Sequence, residues 1–151
     1  MPDSRIQRIA VLGAGTMGSA IAQFFAEKGL LVSLYSRTEQ TLSRALDRIR
    51  ENVDLLSRIG AIPEESADTI LSRIQVFTDL ERTVSDADWV LESVSENRDI
   101  KKHVIEAADR AAPPDAFLTS DTSALNIFTF LKTGRPDRVM ITHFFNPAHL
   151  M

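Results

Sequence analysis

Between Arg8 and Gly18 the chain reads Arg-Ile-Ala-Val-Leu-Gly-Ala-Gly-Thr-Met-Gly, and a helical pattern follows at once. Few folds accept this order of residues. A short apolar stretch closed by glycine, residues 8–12, has the character of a strand buried on both faces of a parallel sheet. Met17, Ala20, Ile21, Phe24 and Phe25 recur at helical spacing over residues 16–28, and Gly29 stops the helix. The turn between strand and helix is G-x-G-x-x-G. Gly13 permits a tight turn, Gly15 lets a ligand approach the backbone, and Gly18 lets the helix pack on the strand. The helix then points its unpaired N–H groups and positive dipole end at whatever occupies the turn, which favours phosphate. Gly13, Gly15, Thr16, Met17 and Gly18 are therefore the candidate residues for a dinucleotide pyrophosphate.

The rest of the chain continues the alternation. Residues 30–35 read as a second strand. Leu42, Ala45, Leu46, Ile49, Val53 and Leu56 mark one face of a helix over 38–58, and Pro63 suits the first turn of another over 63–73. Strands are expected over 74–77, 88–94, 116–119 and 138–142. Helices are expected over 79–85, 97–111 and 124–132, with Ile100, Val104, Ala107 and Ala108 turned inward. Trp89 and Phe24 read as core. Alternating strands and helices imply an α/β fold of the Rossmann type, doubly wound on a mainly parallel sheet, with a helical hairpin inserted between strands two and three. That hairpin is longer than an ordinary crossover. It is either a surface insertion or a cover for substrate.

Composition narrows the partners. The 151 residues suffice for one domain, 44% are apolar and 25% charged, and the net charge is −4. No basic surface is implied, so neither nucleic acid nor an anionic membrane is an expected partner. Without cysteine there is no disulfide, thiolate nucleophile or zinc–thiolate site. No metal site is expected. No apolar run approaches the roughly 20 residues that span a bilayer, and Met1–Arg5 does not read as a signal peptide. A cytoplasmic location is the expectation.

The end of the second strand bears on which dinucleotide fits. An NAD site places a carboxylate there for the ribose 2′-hydroxyl. Here Ser36 stands 18 residues after Gly18, followed by Arg37. No carboxylate repels a 2′-phosphate, Ser36 offers it a hydrogen bond, and Arg37 offers it a charge or stacks on adenine. These residues lean toward NADP over NAD. In the alternative reading Ser36 caps a helix and Arg37 is a surface charge.

Taken together, the glycine turn, Glu92-Ser93-Val94-Ser95-Glu96-Asn97 with Lys101, Ser120-Asp121-Thr122-Ser123-Ala124-Leu125, and His143-Phe144-Phe145-Asn146-Pro147 resemble the NAD-binding domain of the 3-hydroxyacyl-CoA dehydrogenases. The resemblance runs over about residues 6–151. It implies oxidation of a 3-hydroxy group by hydride transfer to nicotinamide. It makes His143 the general base, work that suits an imidazole because it exchanges protons near neutral pH. Ser123 would hydrogen-bond the substrate oxygen, Asn146 would shape the loop beside the base, and Glu96 and Lys101 would lie near the ribose and nicotinamide. Read without the resemblance, His143 is a structural histidine, Ser123 a helix cap, and Glu96 and Lys101 solvated charges. His103 and His149 have no evident partner.

Departures from the family are as informative. Asp121 stands where the family more often has asparagine, adding a negative charge near the expected nicotinamide. Asn52 and Ile59 occupy positions where acyl-CoA members have a serine and a lysine that contact CoA; Arg58 is adjacent. A family glutamate that orients the histidine, and a helical second domain for substrate binding and homodimerisation, are not in this sequence. The expectation is a single dinucleotide-binding domain over 1–151 that turns over little substrate alone, with an apolar tail at His149–Met151 prone to self-association. The substrate class implied is a 3-hydroxyacyl-CoA. The alternatives are an NADP-dependent dehydrogenase of free 3-hydroxy or carnitine-like acids, and a dinucleotide-binding module without catalysis.

Overall fold

A computed structural model describes residues 6–62 and 67–148. The order of elements is β1 (Arg8–Leu12), α1 (Thr16–Glu27), β2 (Leu31–Tyr35), α2 (Glu39–Arg58), α3 (Ala67–Ser72), β3 (Ile74–Phe77), α4 (Leu80–Val84), β4 (Trp89–Glu92), α5 (Arg98–Ala111), β5 (Phe117–Ser120) and β6 (Val139–Ile141). All five strand pairs are parallel, in the order β3-β2-β1-β4-β5-β6. The chain winds outward from β1 in one direction, then returns to β1's other side and winds the opposite way. The crevice at such a reversal, outside the carboxyl ends of β1 and β4, is where open α/β sheets place ligands.

Strand pleating sorts the core into two layers. Ile9 and Val11 of β1 face a layer with α1, α2 and α3, whereas Ala10 and Leu12 face a layer with α5 and residues 127–130. Of the face expected on α2, Leu42, Ala45, Ile49, Val53 and Leu56 are buried, and Leu46 packs partly buried against the same layer. Polar side chains tie α2 to α1. Arg48 Nη1 donates to Ser19 Oγ at 3.0 Å and Asn52 Nδ2 to Gln23 Oε1 at 3.2 Å. Gln23 is fully buried, so its amide must be paired, and it is: its Nε2 donates to Glu27 at 2.7 Å. Asn52 is thus committed to helix pairing, while Ile59 is exposed.

Three expectations are corrected. Residues 124–132 do not form an α-helix; only Ile127–Thr129 make a 3₁₀ turn. Local side chains take the backbone groups a helix would need. Thr122 Oγ1 accepts Leu125 N–H at 3.0 Å, Asn126 Oδ1 accepts Phe128 N–H at 3.2 Å, and Thr129 Oγ1 donates to Asn126 O at 2.7 Å. Ile100 is 42% exposed, and Lys101 turns inward beside it. Phe24 and Trp89 are at the margin of the core rather than its centre: both are partly buried against it, and Trp89 Nε1 donates to Thr119 Oγ1 at 2.7 Å. Strand and helix ends otherwise move by one or two residues, as termini do. The start proposed at Pro63, the N-terminal Met1–Arg5 and the tail His149–Met151 lie outside the described residues.

Candidate functional site

The glycine turn is shaped by what glycine lacks. Gly13 has φ +118°, and a Cβ there would meet Ser93 O at 2.5 Å; one on Gly18 would meet Gly13 O at 1.8 Å. Both collisions are with backbone, so neither can be relieved by a rotamer change. Gly15 differs. It is the N-cap of α1 with extended φ −74°, ψ −164°, and no side chain caps the helix. A Cβ on Gly15 would meet nothing within 4 Å, so it faces open space. The uncapped N-terminus of a 12-residue helix therefore opens onto a cleft. That arrangement fits a dinucleotide pyrophosphate. Thr16 is exposed, whereas Met17 packs against the core.

The cleft, about 960 Å³, is lined by Gly13, Gly15, Ser36, Arg37, Ser93 and Ser95 among others. Ser36 is not a helix cap. Thr38 holds that role, its side chain accepting Thr41 N–H, and the Ser36 hydroxyl makes no hydrogen bond among the described residues. It lies free on the cleft wall beside exposed Arg37. The opposite wall comes from α5, through Asp99, Ile100, His103, Val104 and Ala107. Ile100 and His103 were missed as site residues. The signal was available: an apolar residue in the first turn of a helix that follows a strand's carboxyl end points at the crevice.

Farther along the same sheet edge, the site is held by charge. Glu92 closes β4 and is 1% exposed, as is Lys101 on α5. Lys101 Nζ donates to Glu92 Oε1 at 2.8 Å and Val94 O at 3.3 Å, and pairs with Glu96 Oε2 at 3.2 Å. Glu92 also accepts Ser120 Oγ at 2.5 Å and Val94 N–H at 2.7 Å. Glu96 Oε1 accepts from Thr122 Oγ1 at 2.5 Å and from the N–H groups of Ser123 and Ala124 at 3.2 and 3.1 Å. Burial pushes the Glu96 carboxyl up, but its hydrogen bonds from Thr122, Ala124 and Lys101 outweigh this and hold it at about 2. Lys101 is no solvated charge. It grips β4 through Glu92 and the Ser123 segment through Glu96. Glu92 is the site residue most plainly missed; a carboxylate ending an apolar strand demands a buried partner.

Ser123 and His143 meet in one open depression, with Thr122, Leu125, Phe128 and Ile141. Thr122, not Ser123, takes the capping bond to Leu125 N–H. This leaves the exposed Ser123 hydroxyl unengaged among the described residues. The exposed His143 ring lies 4.8 Å from that of Phe145. Asn146 is exposed and precedes a cis bond to Pro147. Asp121 Oδ1 accepts Phe144 N–H at 2.6 Å and its Oδ2 accepts Ser93 Oγ at 3.1 Å, tying the His143 segment to β4.

A parallel sheet of this order, with an open glycine turn and an uncapped helix N-terminus at its reversal point, defines a dinucleotide-binding α/β domain. The chain belongs to the family described as "3-hydroxyacyl-CoA dehydrogenase, NAD binding domain", which matches residues 8–151. It is 37% identical to the 3-hydroxybutyryl-CoA dehydrogenase of Clostridioides difficile over 95% of this chain and 51% of that one. It is 35% identical to the 3-hydroxyadipyl-CoA dehydrogenase of Escherichia coli over 97% of this chain and 31% of that one. The crystal structure of M. tuberculosis FadB2 superposes with a TM-score of 0.87 at 34% identity, covering 95% of this chain and 50% of FadB2. The chain thus spans about half or less of the length of these relatives. Among the described residues, no helix is long and apolar enough to cross a membrane.

Proposed function

We propose that this NAD-binding domain carries the hydride-transfer half of a site that oxidises 3-hydroxyacyl-CoA substrates. The uncapped α1 N-terminus behind Gly15, on the same sheet edge as the Ser123–His143 depression, carries this reading. Gly13, Gly15, Thr16, Met17 and Gly18 hold the pyrophosphate, and Ser36 and Arg37 the adenosine ribose. Glu96 and Lys101 support the nicotinamide half. When bound, the nicotinamide supplies a hydride acceptor. His143 takes the substrate hydroxyl proton on an imidazole nitrogen, and Ser123 donates a hydrogen bond to the same oxygen. The remaining substrate contacts, an acid that orients His143, and the surface for pairing two subunits belong, in this proposal, outside residues 1–151.

NAD is the favoured cofactor. Asp79, Glu81 and Asp99 line the cleft against one arginine, Arg37, so added negative charge on the ribose is poorly compensated. The free Ser36 hydroxyl beside Arg37 supports NADP as the second reading. Titration of the purified chain with NADH and NADPH, followed by Trp89 fluorescence and calorimetry, tests both. Tighter NADH binding, strengthened in its preference by Ser36→Asp, supports NAD. Tighter NADPH binding that collapses in Arg37→Ala supports NADP. Absence of binding by either overturns the dinucleotide reading.

A further inference from the structure

Asp121 is the first residue beyond β5, and its N–H still donates to Glu92 O at 2.8 Å, so it sits on the sheet edge beside the end of β4. Its two carboxylate oxygens clamp Phe144 N–H and the Ser93 hydroxyl. Ser93 is the residue whose carbonyl abuts Gly13, so Asp121 stands one side chain away from the glycine turn. An asparagine side-chain oxygen would accept the Phe144 bond equally well. The clamp therefore does not require a charge, yet a charge is present.

That charge is not neutralised by contact. Among the described residues no lysine or arginine forms an ion pair with Asp121; the Lys101 ammonium is already shared by Glu92 and Glu96. Three carboxylates face one ammonium and the His143 imidazole at this end of the edge. The winding order assigns the two halves of a bound dinucleotide to opposite sides of the reversal point. If the adenosine half lies toward Ser36 at the end of β2, the nicotinamide half lies over the ends of β4 and β5, beside Asp121. The oxidised nicotinamide ring carries a positive charge that the reduced ring lacks. A fixed carboxylate beside it discriminates between the two forms by Coulomb attraction alone.

We propose that Asp121 is a specificity-determining residue for cofactor redox state, strengthening the binding of oxidised relative to reduced nicotinamide dinucleotide. This inference rests on the dinucleotide reading above. Dissociation constants for NAD⁺ and NADH, measured by calorimetry on the wild-type chain and on Asp121→Asn, test it without reference to turnover. The charge-neutral variant weakens NAD⁺ binding about three- to tenfold and leaves NADH binding unchanged or tighter. Ser93→Ala, which removes one clamp bond and keeps the charge, retains the wild-type ratio. If Asp121→Asn fails to give a folded near-ultraviolet dichroism spectrum, Asp121→Ser serves as the second neutral variant. Equal changes in both constants, no change in either, or a Ser93→Ala ratio that shifts as far as the neutral variant's overturns the inference while leaving dinucleotide binding intact. A wild-type chain that binds neither form overturns the dinucleotide reading itself, and this inference with it.

Discussion

At the β1–α1 end of the sheet edge the site is shaped by missing atoms, and at the β4–β5 end by charged ones. Gly13 and Gly18 admit no Cβ because backbone fills the space. Glu92, Lys101 and Glu96 instead draw three separate segments together around a buried ammonium. The first device depends on steric exclusion, by Gly13 O against Gly18 and by Ser93 O against Gly13. The second ties residues 92–101 to residues 120–124 and depends on desolvated charges that must stay paired. The two ends should therefore fail differently.

The largest effect belongs to the steric end. Gly18→Ala places a Cβ 1.8 Å from Gly13 O, and the turn must move bodily. We expect a loss of about 5 kcal/mol, comparable to the whole stability of many domains, seen as loss of the cooperative thermal transition. Lys101→Met comes next, at about 3–5 kcal/mol by urea unfolding, because it strands Glu92 without its cation. If Lys101→Met cost nothing, the charged end would not be structural, and the comparison would collapse.

A pH experiment separates the carboxylates. The folded state holds Glu96 at about 2 against an ordinary 4.5, so its ionised form is favoured by folding. That contribution is fully present above the ordinary value and is lost as pH falls from there toward about 2. Asp121 has the opposite sign. Burial pushes its carboxyl up against the hydrogen bonds from Phe144 and Ser93 and the charges of His143 and Lys101. Its ionisation therefore opposes folding as pH rises through this range. Glu96→Gln should flatten the acid limb of a stability–pH curve, and Asp121→Asn should steepen it. The smallest effect is at a cap. Asn97 Oδ1 accepts the N–H groups of Asp99 and Ile100, and Asn97→Ala should cost about 1 kcal/mol in thermal unfolding.

The same contrast explains what the chain discloses before it folds. The strand-turn-helix of residues 8–28 was legible because its requirements are local: an apolar run, glycines at fixed offsets, a helical period. The alternation that follows gave the parallel sheet for the same reason. The segment 124–132 was misread because Leu125, Phe128 and Leu131 mimic a helical stripe, while the side chains of Thr122, Asn126 and Thr129 compete for the backbone. Lys101 and Glu96 were singled out by family pattern, but the sharing of Lys101 between Glu92 and Glu96 depends on how α5 packs back against the end of β4. Spacing along the chain does not report it. Ser36 stood out in the sequence as a candidate, yet only the fold shows that Thr38 relieves it of capping.

Gly15 offers the most direct test of the central claim. It is the one glycine of the turn whose Cβ would point into open space, and its φ is ordinary for any residue. Gly15→Val should therefore fold with nearly wild-type thermal stability while its side chain fills the space assigned to the pyrophosphate. Calorimetric titration with NADH is the measurement. The account predicts binding by the wild type and a loss of at least about a hundredfold in Gly15→Val, equivalent to roughly 2.7 kcal/mol. Equal NADH affinity in a folded Gly15→Val would contradict it, because the dinucleotide would then lie somewhere other than against the open N-terminus of α1.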